Sequence, residues 1–286
     1  MKTPEKDPHT EVETTGHSWD GIEELNTPLP RWWLWTFYAT IIWGLIYIAA
    51  YPALPFFGST SNGFLGWSAR SSLEADLQQH KDRHASLNNT LVDAELSNLQ
   101  TGQELRQYAL ARGAAVFTAN CSQCHGAGAG GTVGYPNLLD NDWLWGGSLE
   151  SITYIINHGI RNTSDPDAQF SEMPAFGEFL EEDDITSLTQ FVTQLAQAKT
   201  KELNIDENTL FVENCSGCHG QNATGNESLG APDLTDAIWL YGADSGSVEK
   251  TITDGRFGVM PAWGQRLSEA DLRAVSIYVH ALGGGE

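Results

Sequence analysis

Two short runs, Cys121-Ser-Gln-Cys124-His125 and Cys215-Ser-Gly-Cys218-His219, consume all four cysteines of the chain. A C-x-x-C-H run reads as an attachment site for haem c. Both thiols bond the porphyrin and the adjacent histidine is the proximal iron ligand. A zinc site would need two further ligands per motif at metal-site spacing, and no other cysteine exists to supply them. A thioredoxin-type redox pair would need a strand–helix–strand setting that the flanking sequence lacks. The expected cofactors are two covalently bound haem c groups, with His125 and His219 as proximal ligands. Haem c is attached outside the cytoplasm, which sets the compartment of everything around these motifs.

The sequence after residue 102 is built twice, as two expected cytochrome c domains at 103–200 and 201–286. Phe117 and Phe211 each stand four residues before the first cysteine of their motif. Tyr135-Pro136-Asn137-Leu138 matches Ala231-Pro232-Asp233-Leu234, and Trp143-Leu-Trp145-Gly146 matches Trp239-Leu-Tyr241-Gly242. His158-Gly-Ile-Arg161 corresponds to Asp254-Gly-Arg256. Both units then reach Met-Pro-Ala-aromatic-Gly, at Met173–Gly177 and Met260–Gly264. Each ends in an amphipathic helix, one with Ile185, Leu188, Val192 and Leu195 on a face. The other follows a cap-like Ser268/Asp271 pair with Leu272, Val275, Val279 and Leu282. Gly113 precedes Phe117 by four, where helices cross closely, but the matching position is Glu207, so the second pair is expected to cross less closely. No stretch alternates as a sheet would, so the fold class is all-α, with glycine-rich loops wrapping a flat cofactor.

The sixth iron ligand has few candidates, because the chain holds only Met1, Met173 and Met260. A lone methionine among apolar residues is ordinarily packing. Two at the same place in both repeats, each followed by Pro-Ala and an aromatic, read as axial ligands. Met/His ligation raises the haem potential and closes the iron to small molecules, which favours electron transfer over catalysis, so the chain is not expected to be an enzyme on its own. Arg161 and Arg256 are candidate partners of haem propionates, against the alternative of solvated loop arginines. Pro136 and Pro232 are placed to orient the proximal histidines through backbone carbonyls. His158, whose partner position is not a histidine, is read as a loop residue.

Trp32 to Leu54 carries no charged side chain and crowds aromatics at both ends, as a single transmembrane helix does (31–55). A cleaved signal peptide would be shorter and led by basic residues, whereas the preceding thirty residues are acid-rich. The haem motifs must face the oxidising side, so the tail 1–30 is expected in the cytoplasm and the haem domains in the periplasm of a bacterial inner membrane. The span has no histidine and so holds no haem b. A polar helical connector, 56–102, follows; its thin apolar face makes it either a loose stalk or a helix packing on another subunit, the latter favoured. The net charge of −22 argues against a nucleic-acid partner; it suits attraction to a basic protein surface, against the alternative of a merely soluble acidic surface.

These features together resemble one family: subunit III, the dihaem cytochrome c subunit, of the cbb3-type cytochrome c oxidases. The likeness rests on Pro28-Leu-Pro30-Arg31-Trp32-Trp33 leading into one span, the polar connector, two C-x-x-C-H units, His-Gly-Ile-Arg, and the paired Met-Pro-Ala segments, in that order. It implies an electron-transfer subunit that takes electrons from a soluble c-type cytochrome donor. It would pass them toward the monohaem subunit and the oxygen-reducing catalytic subunit. It leaves two ligand pairings open: each methionine on its own repeat's iron, as spacing favours, or each on the other's, as described for the family. The alternatives are a dihaem cytochrome serving a periplasmic dehydrogenase or a free-standing carrier. A dihaem peroxidase would need an open iron, which the symmetry of Met173 and Met260 opposes. A purely structural subunit would leave the haems without a role.

Overall fold

The computed structural model describes residues 6, 10–56, 59–95, 103–197, 205 and 208–284. It divides into two compact units, Met1–Arg83 and His84–Glu286.

The first unit opens with an antiparallel ribbon of β1 (Thr14–Trp19) and β2 (Ile22–Leu25), with Trp19 opposite Ile22. Asp20 and Gly21, both at positive φ, form the two-residue turn that such hairpins favour. The acidic tail thus contains a hairpin, a departure from an all-helical reading; its register is irregular between Thr14 and Ser18, which hides the alternation. Helix α1 (Arg31–Ala50) is apolar on all sides and only Ala50 is buried. A helix hydrophobic all round needs an apolar surrounding, and α1 is long enough to cross a bilayer. It stops four residues before Leu54, because Pro52 forces Tyr51 into an extended conformation. A second short ribbon, β3 (Pro55–Phe56) with β4 (Ser59–Thr60), follows.

Helix α2 (Ala69–Asp93) is polar, and Leu73 and Leu77 are exposed. Its last turn is different. Leu91 is fully buried in a cluster with Ala109, Leu149, Ala274 and Ile277, and Arg273 donates to the carbonyls of Leu91 (3.1 Å) and Ala94 (2.5 Å). The end of the connector therefore docks on this chain's own helices, while the exposed Leu73 and Leu77 leave the earlier turns uncovered.

The rest of the second unit is helical: α3 (Gln103–Asn120), α4 (Ser122–His125), α5 (Leu149–His158), α6 (Glu182–Gln197), α7 (Thr209–Asn214), α8 (Ser216–His219), α9 (Ser245–Asp254) and α10 (Glu269–His280). Ser148, Asp244 and Ser268 cap α5, α9 and α10, each accepting from the backbone N–H three residues on. The expected Ser268/Asp271 pair also closes side chain to side chain at 2.6 Å.

The helices do not pack repeat by repeat. Helix α10, from the second repeat, lies against α3 and α5 of the first; α6, from the first, lies against α7 and α9 of the second. The α3–α10 crossing is tight at Gly113, where a Cβ would stand 2.6 Å from Cβ of Tyr278. In the second pair α7 is only six residues long, and Glu207 lies outside the described residues. Trp143 donates to the carbonyl of Gly284, tying the C-terminal end to the first repeat, whereas its counterpart Trp239 bonds Asp236 in its own repeat.

Candidate haem sites

Each C-x-x-C-H motif sits on a one-turn helix, α4 or α8, ended by a glycine at positive φ. The loop that follows is folded alike in both repeats. Gly131 N–H donates to His125 O and Gly225 N–H to His219 O, at 2.9 and 2.8 Å. Ala129 and Ala223 are both buried in left-handed conformations, costly for a residue with a Cβ. The backbone bonds Leu138 N–H to Ala129 O and Leu234 N–H to Ala223 O, both 2.8 Å, hold that shape.

This loop delivers a carbonyl to each histidine. His125 Nδ1 lies 3.2 Å from the carbonyl of Pro136, and His219 Nδ1 lies 3.0 Å from that of Pro232. A carbonyl only accepts, so Nδ1 carries the proton and Nε2 is left with its lone pair. Burial lowers the pKa of both imidazoles against the opposing pull of those carbonyls, keeping them neutral at pH 7. Cys121 and Cys215 are half-buried, and burial first, then the neighbouring cysteine, pushes each thiol up to about 11. Cys124 and Cys218 are exposed, and no disulfide joins the four.

The methionines lie across the repeats. Met260 belongs to the apolar cluster around Phe117, which also takes in Cys121 and Trp143 of the first repeat. Met173 belongs to the cluster around Phe211, with Cys215 and Trp239 of the second. The backbone enforces this placement, since Ile160 and Met260 exchange both hydrogen bonds at 3.0 Å and Met173 pairs with Arg256. Trp263 and Gly264 N–H groups donate to the carbonyls of Ile156 and Asn157, both 3.0 Å. The glycines closing the two Met-Pro-Ala segments let the chains pass closely. A Cβ on Gly177 would stand 2.8 Å from Thr253 Cγ2, and one on Gly264 would strike Asn157.

Both arginines are engaged with protein. Arg161 donates through Nη1 to Gly258 O at 2.8 Å and through Nε to Ser171 O, and its guanidinium lies over Trp145 and Phe257. Arg256 donates twice to Thr251 Oγ1, at 2.9 and 2.7 Å, and lies 4.1 Å over the ring of Tyr241. His158, read as a loop residue, is the last residue of α5, with Nδ1 3.2 Å from Asp165. Phe170 and Phe257, which sequence reasoning passed over, touch at 6.0 Å between ring centroids. Both stand three residues before a methionine, a spacing that would have singled them out.

The donor set fits haem c: two thiols, a neutral imidazole with a free Nε2, and a thioether in one apolar cluster with the thiol. Comparison with known proteins shows which family the chain resembles. Residues 11–58 match the family model described as the N-terminal domain of cytochrome oxidase-cbb3, FixP. Residues 109–192 and 206–279 match that described as cytochrome C oxidase, cbb3-type, subunit III. The chain belongs to this family. It is 50% identical to the cbb3-type cytochrome c oxidase subunit CcoP of Cereibacter sphaeroides, with 99% of each chain covered. It is 46% identical to subunit FixP of Azorhizobium caulinodans over 100% of both chains. To CcoP of Rhodobacter capsulatus it is 49% identical, over 96% of this chain and 97% of that one. As a subunit III protein, the chain is a membrane-anchored electron-transfer subunit with two cytochrome c units, and α1 is its anchor.

Proposed function

We propose that this chain carries two covalent haem c groups, one on Cys121 and Cys124 and one on Cys215 and Cys218, and relays electrons into a cbb3-type oxidase. The groups supply one-electron redox chemistry; the chain holds them and sets their potentials. His125 and His219 present Nε2 to the irons, with Pro136 and Pro232 holding their Nδ1 protons. The sixth ligands are exchanged: Met260 serves the iron of His125, and Met173 that of His219. The observation that carries this pairing is the clustering of Met260 with Cys121 and of Met173 with Cys215. Arg161 and Arg256 keep N–H groups beyond those bonded to protein and meet propionates with them.

The N-terminal tail lies in the cytoplasm and the haem domains in the periplasm of the inner membrane, since haem c is attached on the oxidising side. A soluble c-type cytochrome delivers the electrons, and the monohaem and catalytic subunits receive them. The charge of −22 supports a basic donor. Three of the residues in the run Glu181-Glu182-Asp183-Asp184 occupy the first turn of α6, where they also complement the helix dipole.

The test is gentle membrane extraction with this chain as bait, followed by protein mass, a reduced spectrum and oxygen uptake. Two haem additions to the polypeptide, haem b bands and oxygen uptake travelling together are the expected result. Haem c alone, without oxygen uptake, would move the chain to a dehydrogenase or a free carrier.

A further inference from the structure

Arg161 combines an unusual backbone conformation with a side chain that reaches both methionine loops. Its φ is positive, left-handed for a side chain that gains nothing locally from it, so the surrounding structure must hold it there. Its backbone N–H donates to Gln169 O at 2.7 Å, and the preceding residue, Ile160, is the backbone partner of Met260. The side chain is half-buried. Its Nε donates to the carbonyl of Ser171, two residues before Met173. Its Nη1 donates to the carbonyl of Gly258, two residues before Met260. One rigid planar group thus spans the two loops at equivalent positions.

The surroundings fix that group. Trp145 and Phe257 flank the guanidinium, 5.9 and 5.8 Å from their ring centroids, and Phe257 in turn meets Phe170. Ser171 itself donates to the carbonyl of Leu229 in the second repeat. The arrangement has no counterpart across the repeats. Position for position after the turn glycines Gly159 and Gly255, Arg161 corresponds to Phe257, while Arg256 bonds back to Thr251 in α9 of its own repeat.

We propose that Arg161 is a shared positioning residue that braces the Met173 and Met260 loops together, so that ligation at both haems depends on this single side chain. The role rests on the methionine ligation proposed above and goes beyond a propionate contact, which would concern one haem. A lysine keeps the charge but, as a point donor, cannot span two carbonyls in a fixed fork.

The test uses the purified haem-loaded complex, with Arg161→Lys and Arg161→Gln read by three probes. These are the methionine-to-iron charge-transfer band of the oxidised c haems, their potentials, and carbon monoxide bleaching of the reduced c-type band. In both variants both c haems are expected to lose band intensity and fall in potential together. The carbon monoxide-reactive fraction should rise on the order of 10-fold, as for the loss of an outer partner of a metal ligand. The milder Lys variant carries the test if the Gln variant does not assemble. Wild-type potentials in Arg161→Lys would reduce the role to charge, and a change confined to one haem would remove the shared brace; either overturns the proposal. Absence of the methionine band from the unmutated complex would instead overturn the ligation itself.

Discussion

Met260 and Ile160 exchange both of their backbone hydrogen bonds at 3.0 Å although they belong to different repeats. That pairing carries a thioether from the second half of the chain into the apolar cluster that contains Cys121. The same exchange sends α10 onto α3, so neither repeat completes its own core. The sequence repeats are tandem, and the packing that joins them is reciprocal.

Gly159 is the hinge of this pairing. Its φ is positive, and a Cβ would fall 2.8 Å from Ala262 N and against the Met260 carbonyl. Gly159→Ala is expected to cost about 2 kcal/mol. It should also lower the potential of the haem at Cys121 while leaving the other in place. Redox titration alongside thermal unfolding checks both effects, and an unchanged potential would detach Gly159 from ligand placement.

Leu91 tests the docking of the connector. It is fully buried, so Leu91→Ala is expected to remove about 3 kcal/mol from the haem-bearing unit through lost contact and a residual cavity. The haem spectra should stay as they are, because the apolar clusters that hold Met173 and Met260 are separate from the one around Leu91. Denaturant unfolding of the haem-loaded chain measures the loss.

Asp142 predicts a pH effect. Burial first, then Asp236, Asp140 and Asp233, raises its pKa from 3.8 to about 6. The folded state therefore holds this proton more tightly than the unfolded chain does. The contribution of Asp142 to stability falls as pH rises from about 4 to about 6, and its penalty is complete above that. Asp142→Asn should stabilise the unit at pH 7, by roughly 1 kcal/mol once solvent screening of a half-exposed group is allowed for. The advantage should vanish below pH 4, and unfolding of the pair of proteins across that range measures it.

The acidic surface predicts a kinetic signature. The association rate with a basic cytochrome should fall steeply as salt rises and the Debye length shrinks. Stopped-flow mixing at several ionic strengths reads it, and a flat profile would remove electrostatic steering from the account.

Much of the site was legible because its chemistry is local in sequence. C-x-x-C-H places the thiols and imidazole within five residues, and Pro136 and Pro232 recur at similar distances from the motifs. The family resemblance raised the exchange, whereas residue spacing favoured each methionine on its own repeat's iron: Met173 and Met260 stand in matching segments, and which cluster each enters depends on tertiary contacts such as Ile160 with Met260. The hairpin at Asp20-Gly21 did carry a turn signal, masked by its irregular register. The docked end of α2 was hidden for another reason. Its apolar residues are sparse, and Leu91 is the one buried residue of that helix.

The exchange of methionines is tested most directly by an experimental structure of the haem-loaded complex, read for the sulfur bonded to each iron. Met260 Sγ is expected on the iron held by His125, and Met173 Sγ on the iron held by His219. Met173 on the iron of His125, or any ligand other than Met260 there, would contradict it.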